Sequence, residues 1–186
     1  RVNRNKGKVG FCGLTSKSYY FSDFVNYGLE IELVPSYSVY FSGCNFRCIY
    51  CLTWKGIVKP TSGKRVNVED IIKMAESEKE KGIKNVSFLG GLPDLHLPTT
   101  LRIIKGLPFG LPVVWNSNMY LTRQAFSLLD GAVDLITGDL RYGNDRCAKE
   151  ISKVENYTKI VKRNFCQAVK SCKVIVRHLL LPGHFE

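Results

Sequence analysis

An α/β chain built on parallel strands is the fold class this sequence predicts, and three observations carry the prediction. Short apolar runs alternate with helical patterns from residue 36 onward, which is how a parallel β/α domain reads. The chain has 186 residues, 45% apolar and 23% charged, enough for one domain with a sizeable core. No apolar run approaches the roughly 18 residues that a membrane helix needs, so no membrane role is expected.

The first strand is predicted over 36–42, around Val39, Tyr40 and Phe41. A helix follows over 68–81, because Val68, Ile71, Ile72 and Ala75 recur at helical spacing, Asn67 can cap its start and Gly82 can end it. Next come a strand over 85–89, a helix over 98–105, a strand over 112–116 and a short helix over 122–129. A strand over 133–139, a helix over 156–171 and a strand over 173–181 complete the series. Elements in this order suit a barrel or a doubly wound sheet alike, with right-handed crossovers. Residues 1–35 are rich in Tyr, Phe, Gly and Lys without clear periodicity. They are expected to form an N-terminal extension packed on the sheet, with Pro35 marking the boundary to a core domain over 36–186.

Twenty-seven Lys plus Arg against sixteen Asp plus Glu leave a formal charge of +11. This excludes an acidic disordered segment and allows an anionic partner. The basic residues are spread along the chain with no Arg-rich cluster, which counts against nucleic acid, although its binding or modification stays open as a second class of function. No apolar segment follows the basic N-terminus, so nothing reads as a secretory signal. Position 1 is Arg rather than Met, and the chain is expected to begin inside a longer protein.

Seven cysteines are many, but the odd number and uneven spacing do not suit a disulfide framework, so a reducing, cytoplasmic compartment is expected. Cys12, Cys147, Cys166 and Cys172 are scattered, whereas Cys44, Cys48 and Cys51 form C-x3-C-x2-C directly after the first predicted strand. Thiolates so close can converge on one soft metal centre. Structural zinc wants four protein ligands, and no fourth Cys or His lies at the usual short spacing. A zinc site borrowing the distant His96 or Cys12, and three unliganded core cysteines, stand as alternatives. A 4Fe-4S cubane held by three cysteines leaves its fourth iron open to a small molecule, as catalytic metal sites keep one position free.

With Tyr50 just before the last cysteine, the motif resembles the signature of the radical S-adenosylmethionine (SAM) superfamily. Segments 41–51, 90–98, 114–120, 139–143 and 177–184 make the chain similar to the members that resemble pyruvate formate-lyase activating enzyme, especially an uncharacterised homologue branch. The likeness spans nearly the whole chain. It implies a partial (β/α) barrel of the radical SAM type, incomplete at its C-terminal end, with a stretch before Arg1 and at least one more β/α unit after Glu186. It also implies an oxidoreductase that holds a 4Fe-4S cluster on Cys44, Cys48 and Cys51. Such an enzyme cleaves SAM reductively to a 5'-deoxyadenosyl radical and needs a low-potential electron donor such as flavodoxin or ferredoxin. The hydrogen is then implied to come from a backbone glycine of a glycyl radical enzyme. A non-catalytic, metal-stabilised module is a third class of function.

Gly90 and Gly91 lack side chains, so their carbonyls can approach an ammonium closely, and the resemblance sets the amino group of SAM there. The acid usual at the third place is Leu92 here, with Asp94 as the candidate substitute. The resemblance further implies Tyr50 against the adenine, and Asp139 and Arg141 on the ribose and carboxylate. Arg141 stands where the family has Lys, and its planar fork binds carboxylate differently from a point charge. A monovalent cation is implied near Asn116, Ser117 and Asp139, with Asn116 replacing an Asp. Arg177 is the candidate for the methionine carboxylate, because an Arg buried in a strand is costly unless paired. His96, His178 and His184 read as turn or capping residues and receive no catalytic role.

Overall fold

In a computed structural model describing residues 2–28 and 30–183, the elements alternate in the expected way. In chain order they are β1 (Tyr19–Asn26), β2 (Ser36–Phe41), α1 (Trp54–Val58), β3 (Lys64–Arg65), α2 (Val68–Glu80), β4 (Asn85–Gly90) and α3 (Leu97–Gly106). After these come β5 (Val113–Ser117), α4 (Arg123–Ser127), β6 (Leu135–Asp139), α5 (Asp145–Ser152), α6 (Tyr157–Ser171) and β7 (Lys173–Arg177). The strands form one seven-stranded sheet in the order β3-β1-β2-β4-β5-β6-β7. Strands β2, β4, β5, β6 and β7 pair in parallel, while β1 lies antiparallel on β2. Among the described residues the sheet does not close on itself: β3 and β7 are its edges. This is a partial (β/α) barrel.

Local chemistry explains where the helices start. Asn67 accepts the Glu69 N–H at 3.2 Å, and Gly82, at φ +95°, follows the end of α2. Thr122 and Asn144 cap α4 and α5 by accepting the N–H groups of Ala125 and Cys147. Along β2 the side chains alternate as a pleat requires. Tyr37, Val39 and Phe41 enter the apolar core with Ile71, Ala75, Phe88, Ile103 and Trp115. Ser36 takes the other face, where its hydroxyl reaches Asn85 and Ser87 at 2.6 and 2.8 Å. That face is lined by polar groups, and Asn85 Nδ2 ties down the Leu33 carbonyl at 2.6 Å.

Four elements lie outside the expectations: β1, β3, α1 and α5. Strand β1 lies in the stretch expected to be an aperiodic extension, and it is mostly half-buried. Without a dry face its sequence carries no alternation for a reader to detect. Helix α5 buries Cys147, Ala148, Ile151 and Ser152, and only one of these is a large apolar residue. The last strand stops at Arg177, short of the expected Leu181.

Helix α6 secures the turn after β5. Its buried face is Tyr157, Val161, Asn164 and Ala168, and the fully buried Asn164 donates to the carbonyls of Met119 and Leu121 at 2.8 and 3.0 Å. Asn164→Leu keeps the volume but leaves both carbonyls unpaired in the interior. A loss on the order of 2–4 kcal/mol is expected, and urea unfolding of the variant against the wild type measures it.

Candidate metal centre

The loop after β2 carries all three clustered cysteines, and backbone groups hold it in place. Gly43 N–H donates to Gly56 O, Cys44 N–H to Cys12 O, Arg47 N–H to Ser152 O and Ile49 N–H to Ile151 O, all within 2.9–3.1 Å. Asn45 adds a side-chain tie, donating to the Tyr120 carbonyl at 3.0 Å and accepting from Asn118 at 2.8 Å. None of these bonds uses a cysteine sulfur; Cys44 Sγ and Cys48 Sγ accept instead from Phe46 N–H and Ser152 Oγ, contacts that a metal-bound thiolate can keep.

Cys44, Cys48 and Cys51 line one cleft of about 530 Å³ together with Tyr50, Gly90, Gly91, Asp139, Arg141 and Arg177. The tertiary structure therefore gathers every one of these sequence-predicted residues at the carboxyl ends of the parallel strands, where α/β sites form. The three sulfurs are free thiols. Burial pushes the Cys44 thiol up to about 12, so a bound metal must displace its proton. Among the described residues no three His, Cys, Asp or Glu side chains are arranged around a single ion; a cubane instead asks each cysteine to take a separate iron. The distant donors considered with them turn elsewhere. Cys12 Sγ accepts from Arg4, and His96 Nε2 meets the Ser42 carbonyl at 2.8 Å, its ring stacked on Phe41.

Gly90 and Gly91 line the cleft, and packing supplies a further reason for glycine at both. A Cβ on Gly91 would lie 2.1 Å from the Gly43 carbonyl oxygen, and one on Gly90, at φ +104°, 2.7 Å from the backbone of Tyr40 and Phe41. The missing side chains let β4 press against the cysteine loop. The expected roles of Asp94 and Ser117 are corrected. Asp94 accepts from Trp115 Nε1 at 2.6 Å and from Ser117 Oγ at 2.7 Å, and neither residue lines the cleft. Asp94 thus does not replace the acid missing at Leu92, and Ser117 is not free to share a cation with Asp139. Burial pushes the Asp94 carboxyl up to about 7 against the pull of those two donors.

The charged wall of the cleft is an ion pair, with Arg141 Nη2 2.5 Å from Asp139 Oδ2. Burial raises the Asp139 carboxyl despite Arg141 and Arg177 nearby. Arg141 Nε is buried and has no hydrogen-bond partner among the described residues. That atom is closed off from the cleft, but Arg141 and Asp139 both line it, so the wall fits a ligand bearing a carboxylate or hydroxyl.

Arg177, expected to receive a carboxylate, already grips one. Its Nε and Nη2 meet the two oxygens of Glu30 at 2.5 and 2.7 Å, and this pairing lowers the Glu30 carboxyl and raises Arg177. On a flat sheet β2 and β7 would stand roughly 19 Å apart, four strand spacings. The contact therefore straps the β1–β2 connection across the open sheet. Glu30 had no local signal, because its partner is 147 residues away. His178 Nδ1 lies 2.5 Å from the Leu140 carbonyl, and His184 falls outside the described residues.

A family model described as the radical SAM superfamily matches residues 38–186. An uncharacterized protein of Methanocaldococcus jannaschii is 40% identical over 192 aligned positions, which cover 100% of this chain and 55% of that protein. GTP 3',8-cyclase of Petrotoga mobilis is 27% identical over 142 positions, 75% of this chain and 42% of the cyclase. The chain thus spans about half the length of these relatives. Among solved structures, QueE from Escherichia coli aligns with a TM-score of 0.47 at 13% identity, over 91% of this chain and 87% of QueE.

Two outcomes test the electrostatics. Between about pH 4, where a free Asp titrates, and about 7, folded Asp94 holds a proton that the unfolded chain has released. Stability accordingly falls as pH rises through that window. Asp94→Asn retains a carbonyl for Trp115 and donates to Ser117, so thermal melts from pH 4 to 8 are expected to lose this fall and to exceed wild type above pH 7. A profile superimposable on wild type would refute the assignment. Glu30→Gln is expected to cost about 1–2 kcal/mol, less at about 1 M salt; equal urea midpoints at low salt would show that the strap contributes nothing.

Proposed function

Because the chain belongs to the radical SAM superfamily, whose enzymes use a 4Fe-4S cluster and S-adenosylmethionine, we propose that Cys44, Cys48 and Cys51 ligate that cluster and that the adjoining cleft binds SAM. The observation that carries this reading is the convergence of three cysteines free of disulfides and the Asp139–Arg141 pair on one cleft. Held by Cys44, Cys48 and Cys51, such a cluster would supply the single electron for reductive cleavage of SAM bound in the cleft, and so the radical chemistry of the family.

The chain's own residues have separate duties. Arg141, which lines the cleft, offers its guanidinium to an oxygen of the ligand while its Nη2 stays on Asp139. Tyr50 presents its ring beside Arg141, whose guanidinium carbon lies 5.9 Å from the ring centroid. Phe46, Ile57, Leu92 and Leu181 give the cleft apolar walls that limit water. Arg177 spends Nε and Nη2 on Glu30, so the carboxylate role first given to Arg177 falls more readily to Arg141.

The substrate reading rests on the resemblance to pyruvate formate-lyase activating enzyme: a backbone glycine of a glycyl radical enzyme, docked on a chain of charge +11, with reduction by a flavodoxin or ferredoxin in the cytoplasm. A nucleotide substrate is the second reading, favoured by the match to a GTP 3',8-cyclase over 75% of this chain. Mixing the loaded protein with candidate glycyl radical enzymes, and separately with GTP, distinguishes a protein-centred radical from nucleotide consumption.

Protein reconstituted without oxygen is expected to carry about four irons and to change its paramagnetic signal when SAM is added. Cys48→Ala should lose the cluster. Cys166→Ala should keep it, since Cys166 is exposed on α6. Full iron in both variants would overturn the ligand assignment.

A further inference from the structure

A file of hydroxyl groups runs from the charged wall of the cleft to one of the three sulfurs. Arg141 Nη1 donates to Tyr50 Oη at 3.4 Å, and Tyr50 Oη meets Tyr142 Oη at 3.0 Å. Tyr142 Oη meets Ser152 Oγ at 2.5 Å, and Ser152 Oγ donates to Cys48 Sγ at 2.8 Å. Tyr142 and Ser152 are buried, Ser152 completely, and Ser152 lies outside the segments that carry the resemblance.

Counting protons fixes the direction of this file. A ligating Cys48 is a thiolate and can only accept, so Ser152 spends its single proton there. Tyr142 must then donate to Ser152, and Tyr50 to Tyr142. The cation of Arg141 stands at the head of the row and the thiolate at its foot, an arrangement in which each bond polarises the next. Hydrogen bonds to cluster sulfurs are among the terms that set the potential of an iron–sulfur centre. They favour the reduced state, in which the sulfurs carry more negative charge.

We infer that Ser152, supported by Tyr142, is a positioning residue that raises the reduction potential of the cluster through the Cys48 corner and links that corner to the Asp139–Arg141 wall. This inference rests on the cluster reading given under Proposed function. The pieces that hold the loop and the piece that tunes it are separable, because Arg47 N–H and Ile49 N–H bond to the backbone carbonyls of Ser152 and Ile151. Removing the Ser152 hydroxyl leaves those bonds in place. Tyr142→Phe likewise preserves the ring, which packs edge-on against Tyr157 with centroids 5.3 Å apart.

The experiment is a redox titration, followed by electron paramagnetic resonance, of reconstituted wild type, Ser152→Ala and Tyr142→Phe, with iron counted in each. Ser152→Ala is expected to retain wild-type iron. At a fixed poise its ratio of reduced to oxidised cluster should fall roughly tenfold, equivalent to about 59 mV for a one-electron couple. Tyr142→Phe should shift the same way by a smaller factor. Wild-type titrations for both variants at equal iron, or a rise in either, would overturn the inference. If Ser152→Ala fails to hold iron, Tyr142→Phe decides alone, and an unmoved titration there overturns it. Absence of cluster from the wild type itself is a different result: it removes the cluster reading and this inference with it.

Discussion

Everything at the rim of the sheet depends on how the cysteine loop is fastened without using its sulfurs. A loop carrying three ligands must be rigid, because a metal cluster accepts little error in ligand position, and fastening it through the backbone keeps the sulfurs for the metal and for tuning contacts such as that from Ser152. Backbone groups meet this demand from two sides. Cys12 O receives Cys44 N–H, and the last carbonyls of α5 receive the N–H groups of Arg47 and Ile49. Helix carbonyls in the final turn have no intrahelical partner, so α5 loses nothing by giving them away. Gly91 completes the arrangement by letting β4 come within reach of Gly43, a distance that any side chain would block.

Charge is distributed around the cleft with little surplus. Asp139 and Arg141 pair, Glu30 and Arg177 pair, and Asp94 sits behind the wall with Trp115 and Ser117. Each charge is half-buried or more deeply placed, where an unpaired one would be costly. Within the Asp139–Arg141 pair, Nη2 holds Asp139 and Nη1 reaches Tyr50, while the buried Nε has no partner among the described residues. A site whose charges are already paired in this way favours orientation of a ligand over loose electrostatic capture.

The Glu30–Arg177 strap shows how the open sheet is stabilised. Its edges β3 and β7 are far apart in pairing order, and no ladder bonds join them. A connection arising from the first strand crosses the polar face instead, anchored by Asn85 at Leu33 and by Arg177 at Glu30. Residues 1–35 thereby contribute a strand, a crossing strap and the Cys12 carbonyl, which makes the N-terminal stretch part of the site's framework.

The sequence by itself determined the parallel strands β2, β4, β5, β6 and β7, the capped helix α2 and the three thiols. These are signals carried within about a dozen residues, by side-chain periodicity, capping chemistry and ligand spacing. The likeness of scattered segments extended that list to Tyr50, Asp139, Arg141 and the paired glycines. Only the tertiary structure decided what those residues touch. Asp94 turned to Trp115 and Ser117, Arg177 took Glu30, and Ser152, unremarkable on its helix, arrived beneath Cys48 from 104 positions away. The physical reason is the same in each case. A buried polar group is satisfied by whichever partner the packing of the sheet and helices brings within about 3 Å, and no local pattern of residues encodes that partner.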